Sequence, residues 1–161
     1  MIQVLLSDLD GTMCCTKHRK HFVQGKKRNF DAFNLACVND PPLPTVEIIK
    51  GLINGPIHIY FLSGRDEMVR EQTLDWLIRH LSLLNSHRDW LNSRLYMRRS
   101  RDFRSDDLVK KEFLDSIHKT LDEQGNPYNI IGVFDDRNKV IRMWQENGLF
   151  VFNCNQTGEE F

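Results

Sequence analysis

The chain has 161 residues, with 22 basic and 22 acidic side chains and a formal charge of zero. That length suits one domain with a sizeable core, and the balance excludes a protein whose whole surface is basic enough to bind nucleic acid indiscriminately. No apolar run is long enough to cross a bilayer, and the start MIQVLLSDLD lacks the basic stretch of a secretory leader.

The four cysteines, Cys14, Cys15, Cys37 and Cys154, form no C-x-x-C pair and fit a reducing, cytoplasmic setting. Ile2–Ser7 is short, apolar and closed by Asp and Gly, which predicts a buried strand. Residues 11–44 read as irregular and basic, with KHRKH and GKKR ahead of NFDAFNLACVNDPPLP, and the prolines around Leu43 interrupt regular structure. A short helix is predicted over Thr45–Leu52 and a second strand over Ile57–Leu62, ending in the turn residues SGRD. Glu67–Leu81 reads as a helix whose apolar face is Val69, Leu74, Leu77, Ile78 and Leu81. Arg94–Met97 reads as a third strand. Ser105 is placed to cap a helix running to about Leu121, with Asp106 and Asp107 in the first turn, where the helix dipole favours acids. Asn129–Phe134 reads as a fourth strand, Asn138–Asn147 as a helix closed by Gly148, and Leu149–Asn153 as a fifth strand. The tail TGEEF carries little signal.

Strands alternating with helices predict an α/β fold: a parallel sheet of about five strands flanked by helices. Nothing divides the chain, so residues 1–161 are expected to form one domain, with 11–56 as a flap or small insertion. Polar residues stand at the carboxyl ends of strands: Asp8, Ser63 and Asp135. Open α/β sheets bind ligands at those ends, and these residues meet only if their strands are neighbours.

Asp8 and Asp10 are two residues apart, so in an extended segment both carboxylates share a face and Leu9 takes the other. Two close carboxylates repel unless a cation intervenes, and a hard divalent ion such as Mg²⁺ suits oxygen ligands. Gly11 permits a sharp turn. Read alone, an Asp-Gly hairpin explains the stretch equally well. Ser63, Gly64 and Arg65 offer a hydroxyl and free N–H groups suited to phosphate, or an ordinary helix cap. Of the two adjacent lysines, Lys111 aligns with Asp107, Asp115 and His118 on a solvated stripe. Lys110 aligns with Asp106, Leu114 and Ile117 beside the buried stripe, from which a cation reaches inward. Asp135 and Asp136 follow an apolar strand, and two acids in a row favour a metal site over a cap.

DLDGT, then LSGR, then a lysine, then FDDR, each at its expected element, resembles the haloacid dehalogenase (HAD) superfamily of phosphotransferases. The resemblance implies a Rossmann-like HAD fold with Asp8 as nucleophile and Asp10 as general acid/base. Ser63 and Lys110 would hold the phosphate, and Asp8, Asp10, Asp135 and Asp136 the Mg²⁺, Asp10 through its backbone carbonyl. YMRRSRDFRSDDLVKKEF and VFDDRNKVIRMWQENG are similar to the phosphatase domain of bacteriophage-type polynucleotide kinase/phosphatases, which removes 3′-phosphates from nucleic-acid ends. Arg98, Arg104, Asp106, Lys110, Asp135, Asp136 and Arg137 align with that pattern. Arg28, within KKRNFD, and Arg65 match arginines that assist phosphate or substrate contact there, and Asp106 is expected to orient Lys110. The kinase P-loop pattern GxxxxGK[ST] is absent, so the expectation is a stand-alone phosphatase, and 11–56 is divergent and slightly longer.

The stretch after Gly11 is too short for a large cap domain, and an open cleft admits a polymer end. Basic residues over Lys17–Arg28 and Arg98–Arg104 are placed to track a phosphodiester backbone. The expected substrate is therefore a nucleic-acid 3′-phosphate end, of DNA or RNA. The alternatives are a 5′-nucleotidase or general small-molecule phosphatase, a receiver-like signalling domain, and a non-catalytic nucleic-acid-binding module. A receiver carries its phosphoacceptor after a later strand, and a binder of polyanions has no use for buried carboxylates.

Overall fold

The computed structural model describes residues 1–158. β1 (Ile2–Ser7) leads through a short 3₁₀ turn (Lys17–Phe22), helix α1 (Phe30–Leu35) and a second 3₁₀ turn (Ala36–Asn39) to helix α2 (Thr45–Leu52). β2 (Ile57–Asp66), α3 (Arg70–His80), α4 (Arg88–Asn92) and β3 (Leu95–Arg98) follow. α5 (Asp106–Glu123), β4 (Tyr128–Asp135), α6 (Asn138–Glu146) and β5 (Val151–Asn153) complete the described chain. Among the described residues the five strands form one sheet in the order β3-β2-β1-β4-β5, every pairing parallel. This is the expected Rossmann-like α/β architecture without a large cap.

Strand alternation divides the core in two. Leu5, Ile59 and Phe61 enter one apolar cluster with Trp76, Leu77 and Ile49. Val4, Leu6, Tyr60 and Leu62 enter the other with Leu114, Ile117, Val133 and Trp144. Because side chains point alternately up and down, both faces of β1 and β2 are apolar, which a parallel sheet covered by helices on each side requires. Val69, Leu74, Leu77, Ile78 and Leu81 are all buried, as their helical spacing predicts.

Order β3-β2-β1-β4-β5 makes β1 and β4 neighbours across the point where the chain reverses its direction of strand addition. Ser7 pairs with Phe134 on one side and Phe61 on the other. The ends of β1, β2 and β4 are therefore adjacent, which is the condition for Asp8, Ser63 and Asp135 to meet.

Several details differ from the sequence reading. β2 continues through SGRD to Asp66, because a register shift between Ser63 and Asp66 restores pairing with Arg98 after a bulge. The stretch 11–44 is not irregular throughout: Asn29 accepts a hydrogen bond from the Ala32 amide (2.9 Å) and starts α1. Met13, Cys14 and Cys37 from this stretch fill the first core cluster. Ser105 occupies the N-cap of α5 but makes no side-chain cap hydrogen bond. No described helix is long and apolar enough to cross a membrane. The last three residues of the TGEEF tail lie outside the described residues.

Candidate active site

β1 ends at Ser7, and the chain turns back on itself at once. The amides of Thr12, Met13 and Cys14 all donate to the Leu9 carbonyl, at 3.1, 2.8 and 3.0 Å. Gly11 lies at φ +87°, and a Cβ there would meet Asp136 Oδ2 at 2.1 Å. Both the left-handed backbone and the approach of Asp136 thus require glycine at this position.

Lys110 is 2% exposed and bridges two strand ends. Its Nζ donates to Asp8 Oδ1 at 2.7 Å and to Asp135 Oδ2 at 2.8 Å. Lys111 instead pairs with Asp115 on the solvated side of α5, as its helical spacing predicts. Thr12 Oγ1 lies 3.0 Å from Asp8 Oδ2 and 3.3 Å from Asp136 Oδ1. Trp144 Nε1 donates to Asp135 Oδ2 at 3.1 Å. Burial alone would lower the Lys110 pKa, but the facing Asp135, Asp8 and Asp106 carboxylates outweigh it and hold the ammonium well above its usual value. Burial raises Asp8; Lys110 opposes that rise, while Asp135 and Asp136 add to it. Asp136 is raised by burial and by Asp135.

Ligand oxygens of Asp8, Asp135 and Asp136 lie within 4.8 Å of one another. Three carboxylates facing one ammonium leave this site short of positive charge, and all of the donors are hard oxygens. The donor set therefore fits a Mg²⁺-like cation.

Asp10 departs from the expected shared face. Its Oδ1 accepts from Arg65 Nε at 2.8 Å and from Arg19 at 2.8 Å, with Cys14 Sγ at 3.4 Å. Asp8 shares none of these partners. The reason is that β1 stops at Ser7, so strand alternation does not extend across Asp8-Leu9-Asp10. The Asp10 side chain accordingly falls outside the Asp8–Asp135–Asp136 group, in a second cluster with Cys14 and Asp40. Arg19 and Arg65 already neutralise that second cluster. Burial would raise the Asp10 pKa, but Arg65 and Arg19 outweigh it and hold the carboxyl well below the usual carboxylate range.

Arg65 is 1% exposed, and its guanidinium is fully engaged by Asp10, Asp40 (2.7 Å), Thr73 (3.3 Å) and Cys14 (3.2 Å). It braces acids and does not face an open cleft, contrary to the substrate contact read from the sequence. Arg28 is exposed, whereas Arg19, in KHRKH, is fully buried and binds Asp40 at 2.8 and 2.6 Å as well as Asp10. The buried arginine contributed by the flap is therefore Arg19. Asp40 accepts from both arginines, and its backbone carbonyl accepts from Trp76 Nε1 at 2.8 Å.

Ser63 is buried, and its Oγ accepts from the Arg65 amide at 3.2 Å. A Cβ on Gly64 would meet Asp106 Oδ1 at 2.8 Å, so glycine admits Asp106 to this edge of the site. Asp106 is bound by Arg98 and Arg137. Burial would raise its pKa, but Lys110, Arg137 and Arg98 together lower it. It acts on Lys110 through charge, since the hydrogen bonds of the lysine go to Asp8 and Asp135. Arg98 also donates to the carbonyls of Gly64 (3.0 Å), Asp102 (3.0 Å) and Arg104 (2.7 Å), which makes it a scaffold residue. Arg104 pairs with Asp102 and Glu112 on the surface, and the Arg137 side chain is two-fifths exposed.

Sequence reasoning missed Thr12, Arg19, Asp40, Trp76 and Trp144. Thr12 stands inside DGT, one residue past the glycine, and was within reach of the motif. The others are brought to the site only by tertiary packing.

A sequence model of the polynucleotide kinase PNKP phosphatase domain matches residues 2–159. A protein described as a bifunctional polynucleotide kinase/RNA ligase, from Autographa californica nuclear polyhedrosis virus, is 30% identical over 161 residues. The alignment covers 99% of this chain and 20% of that protein, so the chain spans about a fifth of its curated relative. Among solved structures, a chain of a Pnkp1/Rnl/Hen1 RNA repair complex superposes with a TM-score of 0.66 at 25% identity, covering 95% of this chain and 42% of that one. The class C acid phosphatase of Bacillus anthracis shares the fold, with a TM-score of 0.61 at 11% identity over 94% of this chain and 66% of that one. The Asp8–Lys110–Asp135 arrangement and the match over nearly the whole chain agree: the chain belongs to the phosphatase-domain family of polynucleotide kinase PNKP, within the HAD superfamily.

Proposed function

We propose that this chain removes 3′-phosphates from nucleic-acid ends, with Mg²⁺, by two in-line displacements through Asp8. The observation that carries the reading is the buried Lys110 ammonium fixed between Asp8 and Asp135, with Thr12 on the other Asp8 oxygen. That setting orients one carboxylate at a strand end, where a nucleophile is needed. The family membership, the relative described as a polynucleotide kinase/RNA ligase and the similar chain of an RNA repair complex support the choice of substrate.

In the first step an Asp8 oxygen bonds to phosphorus as the bond to the sugar oxygen breaks; Asp10, charged in the free protein, takes up a proton as the phosphate monoester binds and gives it to that oxygen. In the second, Asp10 takes a proton from water; the water attacks phosphorus, and the bond to Asp8 breaks. Both arginine contacts of Asp10 fall on Oδ1, which leaves Oδ2 for proton transfer. Ser63 accepts from the Arg65 amide, so its own O–H remains free to donate to a phosphoryl oxygen. Lys110 adds positive charge beside the same group. Asp8, Asp135 and Asp136 would hold the cation, which when bound neutralises charge on non-bridging oxygens.

The test is a comparison of 3′-phosphorylated oligonucleotides, 5′-phosphorylated oligonucleotides and mononucleotides, each with Mg²⁺ and purified protein. Preference for the first is expected. Equal or better turnover of mononucleotides would replace this reading with a small-molecule phosphatase.

A further inference from the structure

Phe103 is 89% exposed, the most exposed of the large apolar side chains among the described residues. A single exposed apolar residue is ordinary on a protein surface. What distinguishes Phe103 is that the loop carrying it is fixed on both sides. Arg98 donates to the carbonyls of Asp102 and Arg104, the two residues flanking Phe103. Ser100 Oγ donates to Asp66 at 2.6 Å and ties the loop to the end of β2. Arg104 pairs with Asp102 and with Glu112 of α5. Arg101 is held at φ +64°, a left-handed conformation that a non-glycine residue keeps only when its surroundings fix it. The backbone is thus ordered in advance, while the phenyl ring is left in solvent.

The same Arg98 guanidinium that grips this loop also binds Asp106, one turn of α5 before Lys110. One side chain and one helical turn thus connect the backbone on either side of Phe103 to the helix that carries Lys110. Arg99 and Arg101, both exposed, carry positive charge in the same loop. An aromatic side chain on a fixed loop that also carries cations suits a single-stranded nucleic acid: the base stacks, and the cations meet its phosphodiester.

From this arrangement we infer that Phe103 is a stacking platform for a base near the 3′ end of the substrate, and so a specificity residue that separates polynucleotides from small phosphate esters. The inference rests on the nucleic-acid-end reading above and names the contact that delivers it. Stacking of this kind needs no base identity, so the preference it gives is for a polymer end over a small ester, in DNA and RNA alike.

The experiment compares wild type, Phe103→Ala and Phe103→Trp on a 3′-phosphorylated oligonucleotide and on p-nitrophenyl phosphate. A second oligonucleotide series carries an abasic site at each of the last few positions in turn. Expected for Phe103→Ala is a loss of about five- to a hundredfold in kcat/KM on the oligonucleotide, mostly in KM. Its loss on p-nitrophenyl phosphate should be at least fivefold smaller, and Phe103→Trp should retain oligonucleotide turnover. One abasic position should slow the wild type by a similar factor and leave Phe103→Ala no slower than it already is. Wild-type rates for Phe103→Ala on the oligonucleotide, equal losses on both substrates, or the same abasic profile in both proteins would each overturn the stacking role while leaving the nucleic-acid reading in place. Turnover of p-nitrophenyl phosphate without any turnover of oligonucleotides by the wild type would instead remove the nucleic-acid reading, and the platform with it.

Discussion

Lys110 Nζ stands 2.7 Å from Asp8 Oδ1 although 102 residues separate the two in sequence. Both side chains are nearly excluded from solvent, so neither charge has water to fall back on. Lys110→Met should leave Asp8 and Asp135 without their counter-charge. Breaking one side of a buried pair costs about 3–5 kcal/mol, and urea denaturation with a chelator present should show a loss of that size. Turnover should drop on the order of a hundred- to a thousandfold, the scale of a lost electrostatic contact to the reacting group. Wild-type stability in this variant would mean the ammonium is not buried between the two acids.

Arg19 and Arg28 separate what the sequence and the structure say about the flap. Arg19 binds Asp40 and Asp10 in the interior, whereas Arg28 is exposed. Arg19→Ala should cost about 3 kcal/mol or more, because Asp40 loses a buried partner. It should also lower kcat on oligonucleotide and p-nitrophenyl phosphate alike, because it acts through Asp10. Arg28→Ala should stay within about 0.5 kcal/mol of wild type. Oligonucleotide turnover measured alongside the melts decides the matter: slower turnover in Arg28→Ala without loss of stability would support the substrate role read from the sequence, and unchanged turnover would remove it.

Asp10 sets part of the acid sensitivity of the fold. Its folded pKa lies below the unfolded value of about 3.9. The unfolded chain therefore binds more protons in that range, and stability rises with pH there. The contribution is fully present above the unfolded pKa and disappears as pH falls through the folded one. Asp10→Asn keeps the size of the side chain and removes its charge. In denaturation series from pH 6 to about pH 3, the variant should be less stable at the upper end and should lose stability less steeply on acidification. Parallel curves for the two proteins would show that the arginines do not hold Asp10 in its charged form. Asp8 contributes with the opposite sign in metal-free protein, since its folded pKa is raised.

Local pattern carried the framework of the molecule. The apolar runs at Ile2–Ser7 and Asn129–Phe134 became neighbouring central strands, and the acids that ended them met because of that adjacency. Lys110 was separable from Lys111 because helical spacing put one beside the buried stripe and the other on a solvated one. The Arg19–Asp40–Arg65 brace was not legible. Arg19 sits in a run of basic residues that reads as solvated charge, and Asp40 precedes two prolines and reads as a turn. Their burial depends on Cys37, Met13 and Trp76 packing the flap into the core, a long-range event with no local signature. The shared face assumed for Asp8 and Asp10 failed for a related reason. Strand periodicity predicts direction only inside the strand, and β1 ends one residue earlier.

Covalent capture on Asp8 is the most direct test of the proposed chemistry. Protein mixed with an oligonucleotide carrying a radiolabelled 3′-phosphate and Mg²⁺ is quenched in acid within a turnover, digested and mapped by mass spectrometry. Phosphate is expected on the peptide containing Asp8, absent in Asp8→Asn and absent when Mg²⁺ is chelated. Full turnover by Asp8→Asn, or label on any other residue, would contradict the assignment of Asp8 as the nucleophile.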